Sequence, residues 1–147
     1  MERSERTEDV GGGERVQKII GRKAARPKPS EHEEQSKFVY WCRVNKIPVF
    51  SIPNGFWLPI KNKAVAAKYV AKLKREGLSP GVPDLFVPVP NAGYHGLFIE
   101  MKVGGGYLRD EQKKWIRQLN DRGYKAVVCY SANEAMKELE EYLGASE

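Results

Sequence analysis

Soft metal ligands are scarce in this chain of 147 residues, which holds only Cys42, Cys129, His32 and His95. Their number and spacing suit no zinc site. Each cysteine sits in an apolar-aromatic run, "VYWCRV" and "AVVCYS", which reads as a buried thiol rather than half of a disulfide. Also missing is any run of about 18 apolar residues, and the opening "MERSERTEDV" lacks the apolar centre of a secretory leader. A soluble, cytoplasmic protein with no membrane partner is therefore expected. Acids are outnumbered too: 25 Lys and Arg against 19 Asp and Glu give a net charge of +6. That balance favours polyanionic partners, because neutralising phosphates releases counterions. Core-forming material is present, at 41% hydrophobic and 10% aromatic residues, and the length suits one globular domain.

Residues 1–29 carry glycines, prolines and charges with almost no apolar pattern, and no acid interrupts the basic stretch from Arg15 to Lys28. They are expected to form a disordered basic arm ahead of a domain over 30–147. Ser30 followed by Glu33 makes a capping box, and Phe38, Val39 and Cys42 recur at helical spacing, predicting a helix over roughly 31–45. "IPVFSIP" reads as a short strand and "NGFW" as a turn. Over 62–76 the stripe Val65, Tyr69, Leu73 predicts a helix packed by one face, ringed by lysines and closed by Gly77. Two prolines stiffen "GLSPGVPD" ahead of "LFVPVP", and "LFIEMKV" returns after the turn "NAGYHG". After "GGGYLRD", Gln112, Trp115, Ile116 and Leu119 mark a helical face. "YKAVVCYS" reads as a continuous apolar strand, hence a central one. Ser131 with Glu134 caps a last helix striped by Ala135, Met136, Leu139, Tyr142 and Leu143. The order predicts an α/β sandwich whose mixed sheet has four strands.

The return hairpin carries the chemistry. If it folds back near Gly93, Asp84 faces Lys102 and lies diagonal to Glu100, while alternation puts Phe98, Glu100 and Lys102 on one face of the strand. An exposed cross-strand ion pair would explain this much. So would a hard divalent cation: Mg²⁺ takes one or two carboxylates with water and assists phosphodiester hydrolysis. Asp84 and Glu100 suit the cation, the Met101 carbonyl lies between them as a further ligand, and Lys102 can hold the attacking water or offset charge. Glu31 and Gln35 share a helical stripe with Phe38 and Cys42. They either mark where the helix leaves the core or approach the same centre, Glu31 completing the metal shell and Gln35 bonding near it. Gln112 heads its apolar face either as a polar residue at a helix start or with its amide beside the Lys102 end of the hairpin. The lysines around the 62–76 helix, among them Lys61, Lys63, Lys68 and Lys72, offer phosphate contacts without a base pattern.

"GVPDLFVPVP", "GLFIEMKVGGGYLRDEQKKWIRQL" and "YKAVVCYS" together resemble the VRR-NUC nucleases, a branch of the PD-(D/E)XK superfamily. That branch is found alone in phages and prophages and as the catalytic domain of a eukaryotic repair nuclease. The resemblance spans about 30–143 and rests on Pro83 and Asp84, then Glu100, Met101 and Lys102. It implies a restriction-endonuclease-like core and a Mg²⁺-dependent deoxyribonuclease, with Mn²⁺ as a substitute. Asp84 and Glu100 would be metal ligands, Lys102 the catalytic lysine, Glu31 the acid of the first helix with Glu34 as the alternative, and Gln112 the family glutamine. "IPNG" makes Asn54 a site or DNA contact. Stand-alone members are similar to Holliday-junction resolvases, implying a homodimer on branched DNA in a bacterial or phage-infected cell, with Phe56 and Trp57 as candidate interface residues. A non-catalytic nucleic-acid-binding module on the same fold is the competing expectation. A phosphate-binding loop at Gly104–Gly106 is disfavoured, since the spaced fingerprint and following lysine are missing.

Overall fold

The computed structural model describes residues 27–54 and 60–144. Most of the expected arm, and the Phe56–Trp57 pair, lie outside them. The elements run α1 (Glu31–Val44), β1 (Phe50–Ser51), α2 (Lys63–Arg75), β2 (Leu85–Val87), β3 (Leu97–Met101), α3 (Asp110–Asp121), β4 (Lys125–Cys129) and α4 (Ala132–Gly144). Among the described residues the strands form one mixed sheet in the order β1-β2-β3-β4, antiparallel except for the parallel β3–β4 pair. No helix among them is long and apolar enough to cross a membrane.

Local chemistry sets the helix ends. Ser30 Oγ accepts from the Glu33 N–H at 3.2 Å while Glu33 accepts from the Ser30 N–H at 2.7 Å, so two orphan amides of α1 are satisfied. Ser131 caps α4 in the same way, at 3.1 Å to the Glu134 N–H, but the Glu134 carboxylate reaches back to the Tyr130 N–H instead of the cap's own amide. Leu85, Val87, Leu97, Ile99 and Met101 point from the sheet toward Phe38 and Cys42 of α1 and Ala135, Leu139 and Tyr142 of α4, forming the core. The other face carries a row of aromatic rings, Phe50, Phe86, Phe98 and Tyr124, with successive centroids 4.3–5.5 Å apart. Both thiols are buried and free, as expected.

Three expectations change. First, β4 lies at the edge of the sheet and not at its centre. Its apolar run reflects helices packed over its faces, α3 and α4, because periodicity reports covered faces and says nothing of lateral neighbours. Second, α2 has its Asn62 cap and its Gly77 stop but buries no residue, and Val65 and Tyr69 remain 50% and 43% exposed. Among the described residues the amphipathic stripe does not pack into the core, although Leu73 is half-buried. Third, Leu85 pairs with Ile99 and Phe86 with Phe98, so continuing the ladder puts Asp84 opposite Glu100, displaced by two residues from the simple fold-back. The tight turn closes on Asn91 and Tyr94, with Ala92 and Gly93 both at positive φ, and Pro88 and Pro90 cannot donate to a ladder. A displacement of two keeps every side chain on its face, so Asp84 and Glu100 still meet.

Gly81 fixes how α3 approaches this hairpin. Its φ is +89°, and a Cβ there would stand 2.6 Å from the Glu111 carbonyl carbon and 2.8 Å from the Gln112 amide nitrogen. Gly81→Ala therefore adds backbone strain to a steric clash and is expected to cost about 2–4 kcal/mol. Urea unfolding checks it: an unchanged midpoint would show that α3 does not seat on this glycine.

Candidate active site

Asp84 leaves the sheet just before β2, where its carbonyl accepts from the Ile52 N–H at 2.8 Å and its Oδ2 from the Met101 N–H at 2.9 Å. Both ends of the residue are thus pinned, one to the β1 side and one to β3. Glu100 stands beside it, only 1% exposed. Its Oε1 accepts from the Gln112 side-chain amide and lies 3.1 Å from Lys102 Nζ, while its Oε2 is buried with no hydrogen-bond partner. Lys102 Nζ also faces Glu31 Oε1 at 3.9 Å. These side chains, with Asn54 and Arg109, line a cleft of about 280 Å³.

Alternation on β3 explains the convergence. Ile99 and Met101 fill the core while Glu100 and Lys102 project to the opposite face, where α3 brings Gln112. Gln112 is itself buried and oriented, its Oε1 accepting from the Arg109 N–H at 2.9 Å, so its amide group must point its NH₂ at Glu100.

The three glutamates at the start of α1 part company. Glu33 is engaged in the capping box, and Glu34 accepts from the Ala132 N–H at the start of α4. Glu31 alone of the three lines the acid cleft. Gln35 lines a neighbouring groove of about 430 Å³ between α1 and β1, with His32, Ser36 and Arg43. The Asn54 amide donates to the Val82 carbonyl, which holds the "IPN" segment against the "GVPD" loop. Lys61, Lys63, Lys68 and Lys72 are exposed and line none of this cleft, and Lys72 pairs with Glu76 at 3.7 Å. Sequence reasoning missed Arg109. Its only signal was being the single base between the glycine triplet and Gln112.

Burial governs the electrostatics. Desolvation, reinforced by the neighbouring Asp84 charge, pushes the Glu100 carboxyl up to about 7 despite the opposing pull of Lys102. Asp84 is also raised, by burial first, against the hydrogen bond from Met101 and the attraction of Lys102. Among the described residues no three His, Cys, Asp or Glu close a metal shell by themselves. An unpartnered buried oxygen beside a second carboxylate nevertheless fits a hard divalent cation that keeps much of its water.

A model of the VRR-NUC domain matches residues 22–133. The chain belongs to the VRR-NUC nuclease family. A solved structure described as a VRR_NUC domain protein is similar to it, with 27% identity over 80% of this chain and 90% of that one and a TM-score of 0.65. Among curated proteins nothing matches. The mixed sheet and its flanking helices thus form a VRR-NUC, restriction-endonuclease-like core, as the family resemblance implied.

The raised carboxyl has a consequence for the metal-free VRR-NUC domain. A Glu100 titrating near 7 when folded and near 4.5 when unfolded binds more protons in the folded state between those values. Stability is therefore lost as pH rises through that window and levels off above it. Glu100→Gln removes the buried charge, at the expense of the Lys102 pair, and is expected to be more stable at pH 8 by roughly 1–3 kcal/mol. Denaturant titrations in chelator check this. Wild-type stability that stays flat from pH 5 to 8 would contradict the assignment.

Proposed function

We propose that the chain is a Mg²⁺-dependent DNA endonuclease, with Mn²⁺ as a substitute, that cuts branched DNA such as four-way junctions as a homodimer in the cytoplasm of a bacterial or phage-infected cell. The observation that carries the catalytic part is Glu100, a buried carboxylate whose second oxygen meets no donor, set beside Asp84. A buried charge so placed is costly unless it is neutralised or binds a cation.

In this reading Asp84 and Glu100 hold the cation and Glu31 completes its surroundings from the cleft wall. Met101 gives its N–H to Asp84, and a strand residue's N–H and C=O leave on the same edge, which favours its carbonyl as a further ligand. The cation would supply Lewis acidity toward a phosphodiester. Lys102, held between Glu100 and Glu31, orients the attacking water and offsets the charge that grows on the phosphate oxygens. Gln112 fixes the Glu100 carboxylate so that one oxygen is engaged and the other is left for the cation. Asn54 braces the cleft wall. Gln35, with Lys61, Lys63, Lys68 and Lys72, supplies contacts along the DNA backbone.

The dimer and the branched substrate draw on the family resemblance and on a geometric need. One domain has one acid centre, and paired cuts in opposing strands require two, which a C₂ pair provides. The unpacked stripe of Val65 and Tyr69 on α2 supports a second copy as its cover. Asp84→Ala and Glu100→Ala should each lower the cleavage rate at least about a thousandfold, near 4 kcal/mol of barrier, while circular dichroism stays native. Labelled four-way junctions should be cut in paired strands by a particle of twice the 16.7 kDa chain mass. Either variant cutting at the wild-type rate would overturn the catalytic assignment. Native variants and wild type that bind DNA and never cut it would favour the binding-module reading.

A further inference from the structure

The loop from Val103 to Arg109 has no part in the roles above. Gly104 and Gly105 adopt φ of 52° and 82°, and the Gly106 N–H closes a turn on the Val103 carbonyl at 3.0 Å. This folds the loop against the catalytic-face lysine, since a Cβ on Gly106 would stand 3.4 Å from Lys102 Cδ. The chain then presents Tyr107, 93% exposed. A large ring standing in water forgoes the burial that usually justifies an aromatic residue. Two residues on, Arg109 is anchored firmly. Its N–H is held by Gln112, which in turn is bonded to Glu100, so its position is tied to the acid centre through two hydrogen bonds. Arg109 lines the cleft, where its charge pulls against the raised Asp84 carboxyl, and it makes no ion pair within 4 Å among the described residues. A planar cation thus lines the acid cleft within electrostatic reach of Asp84, and an exposed aromatic residue precedes it by two positions in the chain.

We infer that Tyr107 and Arg109 form a clamp for an unpaired nucleotide, Arg109 gripping a phosphate at the cleft mouth and Tyr107 stacking on the base attached to it. A guanidinium is suited to bidentate contact with phosphate. Two residues of extended chain span about 7 Å, comparable to the reach from a phosphate to its own base. A base stacked within a duplex offers no free face to a ring, whereas an unpaired one does, whatever its identity. The clamp therefore selects strand opening rather than sequence. It rests on the nuclease reading of the cleft and adds to it the substrate feature that the site recognises.

The test uses the full chain with Ca²⁺ replacing Mg²⁺, so that binding is read without turnover. The probes are a flapped DNA with 2-aminopurine at the unpaired position next to the branch and the same sequence fully paired. Binding should quench the flap's fluorescence with wild type and with Tyr107→Trp, and not with Tyr107→Ala. The ratio of flap to duplex affinity should fall about tenfold in Tyr107→Ala, the scale of one lost base–aromatic stack, and return in Tyr107→Trp. Arg109→Ala should weaken flap binding and flatten its salt dependence by about one phosphate contact, with Arg109→Lys between it and wild type. Thermal melts establish that the variants are folded. A folded Tyr107→Ala with wild-type quenching and ratio overturns the clamp, and if wild type still cuts DNA with Mg²⁺ the nuclease reading survives. Should wild type cut nothing with Mg²⁺ or Mn²⁺ while the ratio still depends on Tyr107, the clamp stands and the catalytic reading falls.

Discussion

A carboxylate buried on a sheet between a second acid and a lysine is the constraint around which the site is arranged. Glu100 is costly to hold in a dry environment, and the fold compensates only part of that cost: Gln112 and Lys102 serve one oxygen and leave the other without a donor. The neighbouring Asp84 makes matters worse electrostatically, raising the Glu100 carboxyl further. Such an arrangement weakens the empty domain and is understandable where stability is exchanged for a poised cation site.

The scaffold makes the arrangement rigid. Apolar residues of β2 and β3 anchor one face of the hairpin against α1 and α4, so the opposite face is aimed without further help. Gly81 admits the start of α3 to that face, and Gln112 then locks the geometry from above. The same two helices that build the core also place the outer acids: the Ser30 box sets the first turn of α1, Glu34 ties α1 to the start of α4, and Glu31 is left at the cleft. Fold and site are therefore not separable layers here. A change at Gln112 or Gly81 acts on the placement of Glu100.

Much of this could be read from the residues. Capping chemistry is local, so the Ser30 and Ser131 starts were legible, and period-two alternation put Glu100 and Lys102 on one face whatever the register. The register itself was not legible, because a turn at 91–94 and two prolines moved the ladder by two residues, and only the even shift preserved the pairing of acids. The edge position of β4 was hidden for a different reason: an apolar run shows that helices cover a strand and not how many strands flank it. For α2, amphipathic spacing foretold a stripe and could not foretell that nothing in the described chain would cover it. Arg109 escaped notice because a single base in a polar loop has no pattern; its meaning comes from the hydrogen bond that ties it to Gln112 and from its place in the cleft near Asp84.

The claim on which this account turns is that Glu100, with Asp84, keeps a place for a divalent cation. Calorimetric titration of Mn²⁺ into the full chain, repeated in buffers of different ionisation enthalpy, tests it most directly because it reads metal and proton together. One Mn²⁺ per chain should bind with net proton release near pH 6.5, the release should fade by pH 9, and Glu100→Gln should lose most of the affinity. Binding that is absent at millimolar Mn²⁺, or that is unchanged in Glu100→Gln and releases no proton at any pH, would contradict it.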